Sequence, residues 1–305
     1  MTLGDLPRTE IRRRLKRERL CLRTGPFVVA VRTPLARLAD AIATLYTDFP
    51  LIDDCAFADF DIEIAPRRGL RRWLPPQAVF TLGGWFRHDA FRRSLAPAFF
   101  EWGLNCCVSR SVLHYLVLHG AVVERGGRAL VLLGASGAGK STLCAALIVD
   151  GWRLLSDELT LIRPGSRGVV GLARPISLKN EAIDLVRTLA PRAVMGPTTV
   201  TPRKGRMAHL RPPRESVQRM DEPATLSRFV FVRYEPGAAP SLQRVAPADA
   251  LARIARQSFN YGVRGRRGFE HLARLVDECP SATLTYGDVR DAVRALDDDD
   301  VPDRL

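Results

Sequence analysis

The residues Gly134-Ala135-Ser136-Gly137-Ala138-Gly139-Lys140-Ser141 satisfy the phosphate-binding pattern G-x-x-x-x-G-K-[ST]. Chemistry needs these types at this spacing. Glycines let the backbone adopt unusual dihedrals and turn its N–H groups toward a polyphosphate. A helix starting near Lys140 would add its positive N-terminal end. Lys140 would then reach the outer phosphates and the Ser141 hydroxyl would hold a magnesium ion. Thr142 completes the candidate nucleotide-binding set.

Two carboxylates, Asp157 and Glu158, follow the run Leu154-Leu155-Ser156, only 17 and 18 residues beyond Lys140. That interval holds one helix and one strand, so both side chains should sit on a strand close to the phosphates. One carboxylate can bind magnesium while the other accepts a hydroxyl proton during phosphate transfer. Residue types alone leave open which is the base. His119 ends the run Leu116-Val117-Leu118, 21 residues before Lys140. Its strand would lie beside the loop strand; taken alone, a structural histidine is the competing reading. Of 46 basic residues only Lys16, Lys140, Lys179 and Lys204 are lysine. In an arginine-rich chain, Lys179 and Lys204 are therefore candidates for places that need a compact ammonium.

These side chains must be positioned by a recognisable series of elements. Ala129–Leu133 reads as the strand before the loop and Ser141–Val149 as the helix after it. Gly120–Val123 pairs with the loop strand through a Gly126-Gly127 hairpin. Arg153–Leu155 and Leu159–Ile162 are strands around the carboxylates, and Glu181–Leu189 is a helix. Arg228–Tyr234 and Ala282–Tyr286 are strands; Pro247–Gln257, Gly268–Cys279 and Gly287–Leu296 are helices. Upstream, a helix is predicted over Thr9–Leu20, a strand over Phe27–Val31 and a helix over Pro34–Thr47. Strands follow over Phe57–Ile64 and Val79–Leu82, separated by the basic loop Arg67–Pro76. A long helix over Ala90–Leu118, kinked or split at Pro97, leads into the core. Pro191–Arg214, rich in Pro, Arg, Gly and Thr, reads as a long loop. The resulting division is a β-rich portion over residues 1–100, itself able to form part of the core, a nucleotide-binding domain over 101–296 and an acidic tail over 297–305.

The chain has 305 residues, 46% of them apolar and 26% charged, as in globular proteins that bury a sizeable core. No apolar run approaches the roughly 20 residues of a membrane span, and Met1–Thr24 lacks the apolar centre of a secretory signal. The six cysteines show no C-x-x-C pair or metal spacing, which predicts a reducing, cytoplasmic setting. Cys106 and Cys107 are expected on a half-buried helix. The net charge of +13 would suit nucleic acid, acidic partners or anionic lipid. The basic residues are scattered, however, with local clusters at 12–19, 67–72 and 264–267, and no nucleic-acid motif accompanies them. An arginine-rich solvated surface without specific nucleic-acid binding is the expectation.

The segment HGAVVERGGRALVLLGASGAGKSTLCAALIVDGWRLLSDELTLI resembles the HPr kinase/phosphorylase family and its relatives of the PEP-carboxykinase-like fold. His119-Gly120, Gly134–Ser141, Gly151, Arg153-Leu154 and Asp157-Glu158 fall on the family's histidine–glycine strand start, phosphate loop, turn and "RLxxDD" strand. RPISLKNEAIDLV, GRMAHLRPP and FVFVRYEPG look like the branch called HprK-related kinase A. The resemblance implies an α/β fold with a PEP-carboxykinase-like core, a mixed sheet and flanking helices. It implies an ATP- and Mg2+-dependent kinase acting on a serine or threonine hydroxyl. His119 would lie near the transferring phosphate, with Asp157 and Glu158 on the two family aspartates. The family's EIRGLGI signature is missing; ARPISLKN stands nearby, and Glu181 is the nearby carboxylate of similar placement. This departure turns the expected acceptor from HPr to a peptide or other small protein, with a PqqD-like peptide-binding protein as companion and a homo-oligomeric assembly. Lys179, Arg206 and His209 would contact acceptor or nucleotide. A metabolite kinase of the same fold and a non-catalytic ATP-binding scaffold are the alternative readings.

Overall fold

The N-terminal apolar residues alternate along short strands that share one sheet. In the computed structural model, which describes residues 1–67, 75–202 and 204–297, helix α1 (Arg8–Arg17) precedes β1 (Leu20–Thr24) and β2 (Phe27–Arg32). Helix α2 (Ala36–Leu45), β3 (Leu51–Ile52), β4 (Phe60–Pro66), β5 (Gln77–Leu82), β6 (Phe86–Arg87) and β7 (Phe91–Arg92) follow. Among the described residues the strands pair in the order β3-β1-β2-β4-β5-β6, with β7 also on β5. The helix predicted over Thr9–Leu20 ends at Arg17, because Leu20, Cys21 and Leu22 are buried as part of β1. The strand predicted from Phe57 begins at Phe60; Phe57 itself is exposed. Much of the predicted basic loop, residues 68–74, lies outside the described residues.

Helix α3 (Ala96–Ser111) is shorter than the predicted Ala90–Leu118. Pro97 does not kink it. It stands in the first turn, where its missing N–H has no partner to lose. The residues beyond the helix form β8 (Leu116–His119), which pairs with β12 (Leu159–Ile162) and not, as expected, with the loop strand; interstrand bonding overrides the helical spacing there.

The second sheet contains the candidate residues. Its other strands are β9 (Ala121–Arg125), β10 (Arg128–Leu133), β11 (Arg153–Ser156), β13 (Gly168–Val170), β17 (Ala224–Tyr234), β18 (Ser241–Arg244) and β19 (Ser281–Tyr286). A small third sheet joins β14 (Ile176–Lys179), β16 (Gly205–Leu210) and β15 (Thr199–Thr201). The helices are α4 (Lys140–Val149), α5 (Glu181–Leu189), α6 (Arg214–Gln218), α7 (Pro247–Arg256), α8 (Gly265–Glu278) and α9 (Val289–Asp297). Strand order in the second sheet is β11-β9-β10-β17-β13-β12-β8, with β19 on β17 and β18 on β19. Strands β10, β17 and β19 run parallel, while β9 is antiparallel to both β10 and β11. This is a mixed α/β architecture. The predicted loop over Pro191–Arg214 is replaced in part by the β15–β16 pair: β16 completes β14, burying Ala208 and Leu210. The Arg- and Gly-rich composition conceals that alternation.

Helix α4 is apolar on nearly all sides, as a helix enclosed by other elements must be. Leu143, Ala145 and Leu147 are fully buried with Leu132, Leu154, Leu178 and Leu284. Gly151 ends it at φ +94°, with Trp152 N–H on Leu147 O and Gly151 N–H on Ile148 O. A separate apolar cluster takes in Leu3, Ile42, Phe60 and Phe100 together with Val117, Leu161 and Leu172, so the N-terminal sheet packs on the β8–β12 side of the second.

Cysteine spacing predicted a reducing setting, in which disulfides are rare. Instead, Cys21 on β1 and Cys55 beyond β3 are joined in a disulfide with Cα atoms 6.3 Å apart, a correction that their 34-residue separation hides from motif reading. Cys106 and Cys107 lie on α3 as expected. Asp297 belongs to α9 and binds Arg125, while residues 298–305 of the predicted tail lie outside the described residues. Among the described residues no helix is long and apolar enough to cross a membrane.

Candidate phosphate and acid–base site

The loop at 134–139 needs its glycines. Gly134, Gly137 and Gly139 have φ of +149°, +87° and +97°. A Cβ on Gly139 would also lie 2.4 Å from the Tyr286 hydroxyl, so no larger residue fits there. The turn delivers Lys140 and Ser141 to the start of α4. Lys140 lies over the loop, its Nζ donating to Gly134 O at 2.7 Å and Ala135 O at 3.1 Å. Burial pulls its pKa below the ordinary lysine value, opposed by the negative charges of Glu158 and Asp157. Ala135, Ser136, Ala138 and Thr142 occupy the loop and the first turn of α4, where the sequence placed them.

The two carboxylates of the pair face different groups. Asp157 is buried after β11; it accepts from Ser141 Oγ at 3.0 and 3.2 Å and from the Ser177 backbone N–H at 2.9 Å. Burial, reinforced by the charge of Glu158, raises the Asp157 pKa to about 6. Glu158 begins the next turn at φ +73°, a left-handed conformation that costs a non-glycine residue about 1–2 kcal/mol. Its carbonyl accepts from Gly120 N–H at 3.2 Å. A Cβ on Gly120 would come within 2.8 Å of Leu132 O, so that close approach requires glycine.

The strained turn points the Glu158 side chain between two basic groups. His119 Nε2 lies 3.3 Å from one carboxylate oxygen and Lys179 Nζ 3.9 Å from the other. Burial alone would raise the Glu158 pKa. The hydrogen bond to His119 and the charges of Lys179, His119 and Lys140 together outweigh it and hold the carboxyl down at about 2. The Phe259 ring stands 5.9 Å from that of His119 and is 49% exposed. Its segment is fastened to β8: His119 N–H donates to Gln257 O, Phe259 N–H to Val117 O, and buried Asn260 Oδ1 accepts from Val117 N–H.

The structure thus brings together His119, Lys140, Ser141, Asp157, Glu158 and Lys179. It does not bring Arg206, which pairs with Asp184 at the surface, or Lys204, exposed beside β16. Glu181 opens α5 as an exposed residue. His209 is buried opposite Ser177 in the β14–β16 pairing, and burial lowers its pKa toward the neutral imidazole. Sequence reasoning missed Ser177 and Phe259. The first acts through its backbone and the second through strand docking, so neither leaves a motif. The Ser141 hydroxyl and Asp157 carboxylate form a hard oxygen pair that fits Mg2+, an ion that takes few protein ligands and completes its shell with waters and substrate phosphates. Among the described residues no cluster of three or more His, Cys, Asp or Glu is placed to hold a metal without such help. A cavity of about 560 Å³ opens elsewhere, beside Pro34, Arg37, Pro75 and Arg92, and none of the candidate residues lines it.

Residues 104–173 match the model of a family described as SynChlorMet cassette protein ScmC. That stretch spans His119, the loop and the carboxylate pair. Among solved structures, the chain is similar to an Hpr(Ser) kinase/phosphatase from Coxiella burnetii at 9% identity and a TM-score of 0.26, covering 60% of this chain and 95% of that one. No curated protein matches the sequence.

Proposed function

We propose that this chain is an ATP-dependent kinase that transfers the γ-phosphate to a serine or threonine hydroxyl of a peptide or small protein. The observation that carries this reading is the division of labour at 157–158. Asp157 faces Ser141 at the loop, while Glu158 is held apart from it between His119 and Lys179. Loop amides and Lys140 would hold the phosphates, Lys140 exchanging loop carbonyls for phosphate oxygens. Ser141 and Asp157 would hold Mg2+, which would supply positive charge to offset that of the phosphates. Glu158 stays ionised at neutral pH and would accept the acceptor's hydroxyl proton. His119 and Lys179 fix its carboxylate in place from either side.

A peptide-sized acceptor is supported by the rim beside His119. Phe259 is exposed there, and Arg264 ties the same segment to Leu113 O, ahead of β8, at 2.6 Å. The resemblance of the sequence to HPr-kinase-like proteins also leads us to expect a peptide-binding companion and a homo-oligomer, which native mass spectrometry would reveal. The kinase reading is tested with labelled ATP, magnesium, serine- and threonine-containing peptides and free serine. Label should pass to peptide in the wild type and not in Lys140→Ala. Equal transfer by both proteins would refute the assignment, and exclusive labelling of free serine would make the enzyme a metabolite kinase.

A further inference from the structure

Three parallel neighbours, β10, β17 and β19, end side by side, and ligands of α/β sheets bind at the carboxyl ends of such strands. The end of β10 is the phosphate loop. The ends of β17 and β19 carry Tyr234 and Tyr286, which the proposed chemistry does not use.

We infer that the paired ends of β17 and β19 form the seat for the nucleobase, with the Tyr234 ring as its stacking platform. The inference rests on the reading of Gly134–Ser141 as a nucleotide loop. Tyr234 is bound to that loop: its N–H donates to Ala138 O at 3.2 Å. Tyr286 supports the same turn, its hydroxyl reaching Gly139 O at 3.4 Å. The two rings are 5.7 Å apart. Tyr286 is buried and backs the seat, whereas Tyr234 is 48% exposed and offers its ring to a ligand. The loops beyond the two strands close tightly, since a Cβ on Gly287 would lie 2.7 Å from the amide nitrogens of Gly237 and Ala238.

Direction along the ligand follows from strand order. Asp157 lies beyond β11, on one side of the loop strand, and Tyr234 ends β17 on the other. A nucleoside triphosphate whose terminal phosphate faces Asp157 and Glu158 therefore extends its base toward Tyr234. An aromatic face accepts any planar base, and such stacking commonly changes affinity about tenfold or more. The ligand class is a nucleoside triphosphate, recognised here by its ring rather than its charge.

The test is calorimetric titration of the full chain with Mg·ATP and with Mg·tripolyphosphate, which keeps the charge and lacks the base. Tyr234→Ala should weaken ATP binding by about tenfold or more and leave tripolyphosphate unchanged. Tyr234→Leu, which keeps bulk without the π-face, should show the same loss, and Tyr234→Phe should bind as the wild type does. Unchanged ATP affinity in Tyr234→Ala, or equal weakening of both ligands, would overturn the platform while the nucleotide loop stands. A wild-type chain that binds neither ligand would overturn the loop reading itself.

Discussion

At the scale of single residues, adjacent carboxylates acquire opposite characters from their surroundings. Asp157 has its pKa raised by burial and by Glu158, from 3.8 to about 6. The raised value means the apo fold favours the protonated form. Its stabilising contribution is complete below the unfolded value of 3.8 and is lost as pH rises through about 6. Metal needs the ionised form, so the sign reverses for Mg2+ binding. Affinity for Mg2+ should fall about tenfold per pH unit below pH 6 and level off above it. Thermal melts with and without Mg2+, run between about pH 5 and about pH 8, measure this. In Asp157→Asn the Mg2+-dependent shift should vanish at every pH. Glu158, held at about 2, stays charged through the same range and adds no slope. For the acceptor side, Phe259→Ala should raise the peptide KM several-fold and leave the KM for ATP unaltered in steady-state assays; an equal change in both would remove Phe259 from the acceptor rim.

At the scale of elements, the site depends on two backbone approaches that only glycine allows. Gly120→Ala would drive a methyl against Leu132 O and the Leu133 side chain, at a cost of about 1–3 kcal/mol readable as a lower urea midpoint. Gly139→Ala combines a clash at the Tyr286 hydroxyl with a φ of +97°, and should abolish nucleotide binding before it unfolds the chain. These glycines were legible in sequence, as were β9–β10, α4 and β11, because turn chemistry and apolar spacing agree locally there. Elements whose identity depends on distant partners were not. β8 looked like the end of a helix until β12 paired with it, and β15–β16 looked like loop until β14 needed an edge. His119, Lys140 and the Asp157-Glu158 pair could be singled out from their residue types and spacing, although the run before His119 read as the end of a helix. Lys179 could be singled out only as a rare lysine, and its place opposite Glu158 came from the third sheet.

At the scale of the whole molecule, a buried polar network joins the end of α2 and helix α3 to the segment entering β14. Tyr46 Oη donates to Glu101 Oε1 at 2.8 Å, and Arg174 binds Glu101 Oε2 at 2.7 Å and Asn105 Oδ1 at 2.5 Å. Three residues beyond Arg174, the Ser177 N–H orients Asp157. Glu101→Ala would leave the Arg174 charge buried and unpaired, and should cost about 3–5 kcal/mol in denaturant unfolding; a change below about 1 kcal/mol would show that the network is not a structural tie. Many surface arginines are likewise committed: Arg12, Arg13, Arg14 and Arg19 each meet a carboxylate, pairs that the net charge of +13 already counts as cancelled. The central claim is that the loop and the 157–158 pair form one phosphotransfer site, and water can serve as a slow acceptor when no peptide is present. The most direct measurement is single-turnover release of labelled γ-phosphate from Mg·ATP by wild type, Asp157→Asn and Glu158→Gln, with nucleotide binding measured in parallel. Slow release is expected from the wild type and at least about a hundredfold less from Glu158→Gln, with its ATP affinity retained. Release by Glu158→Gln at the wild-type rate would contradict that claim.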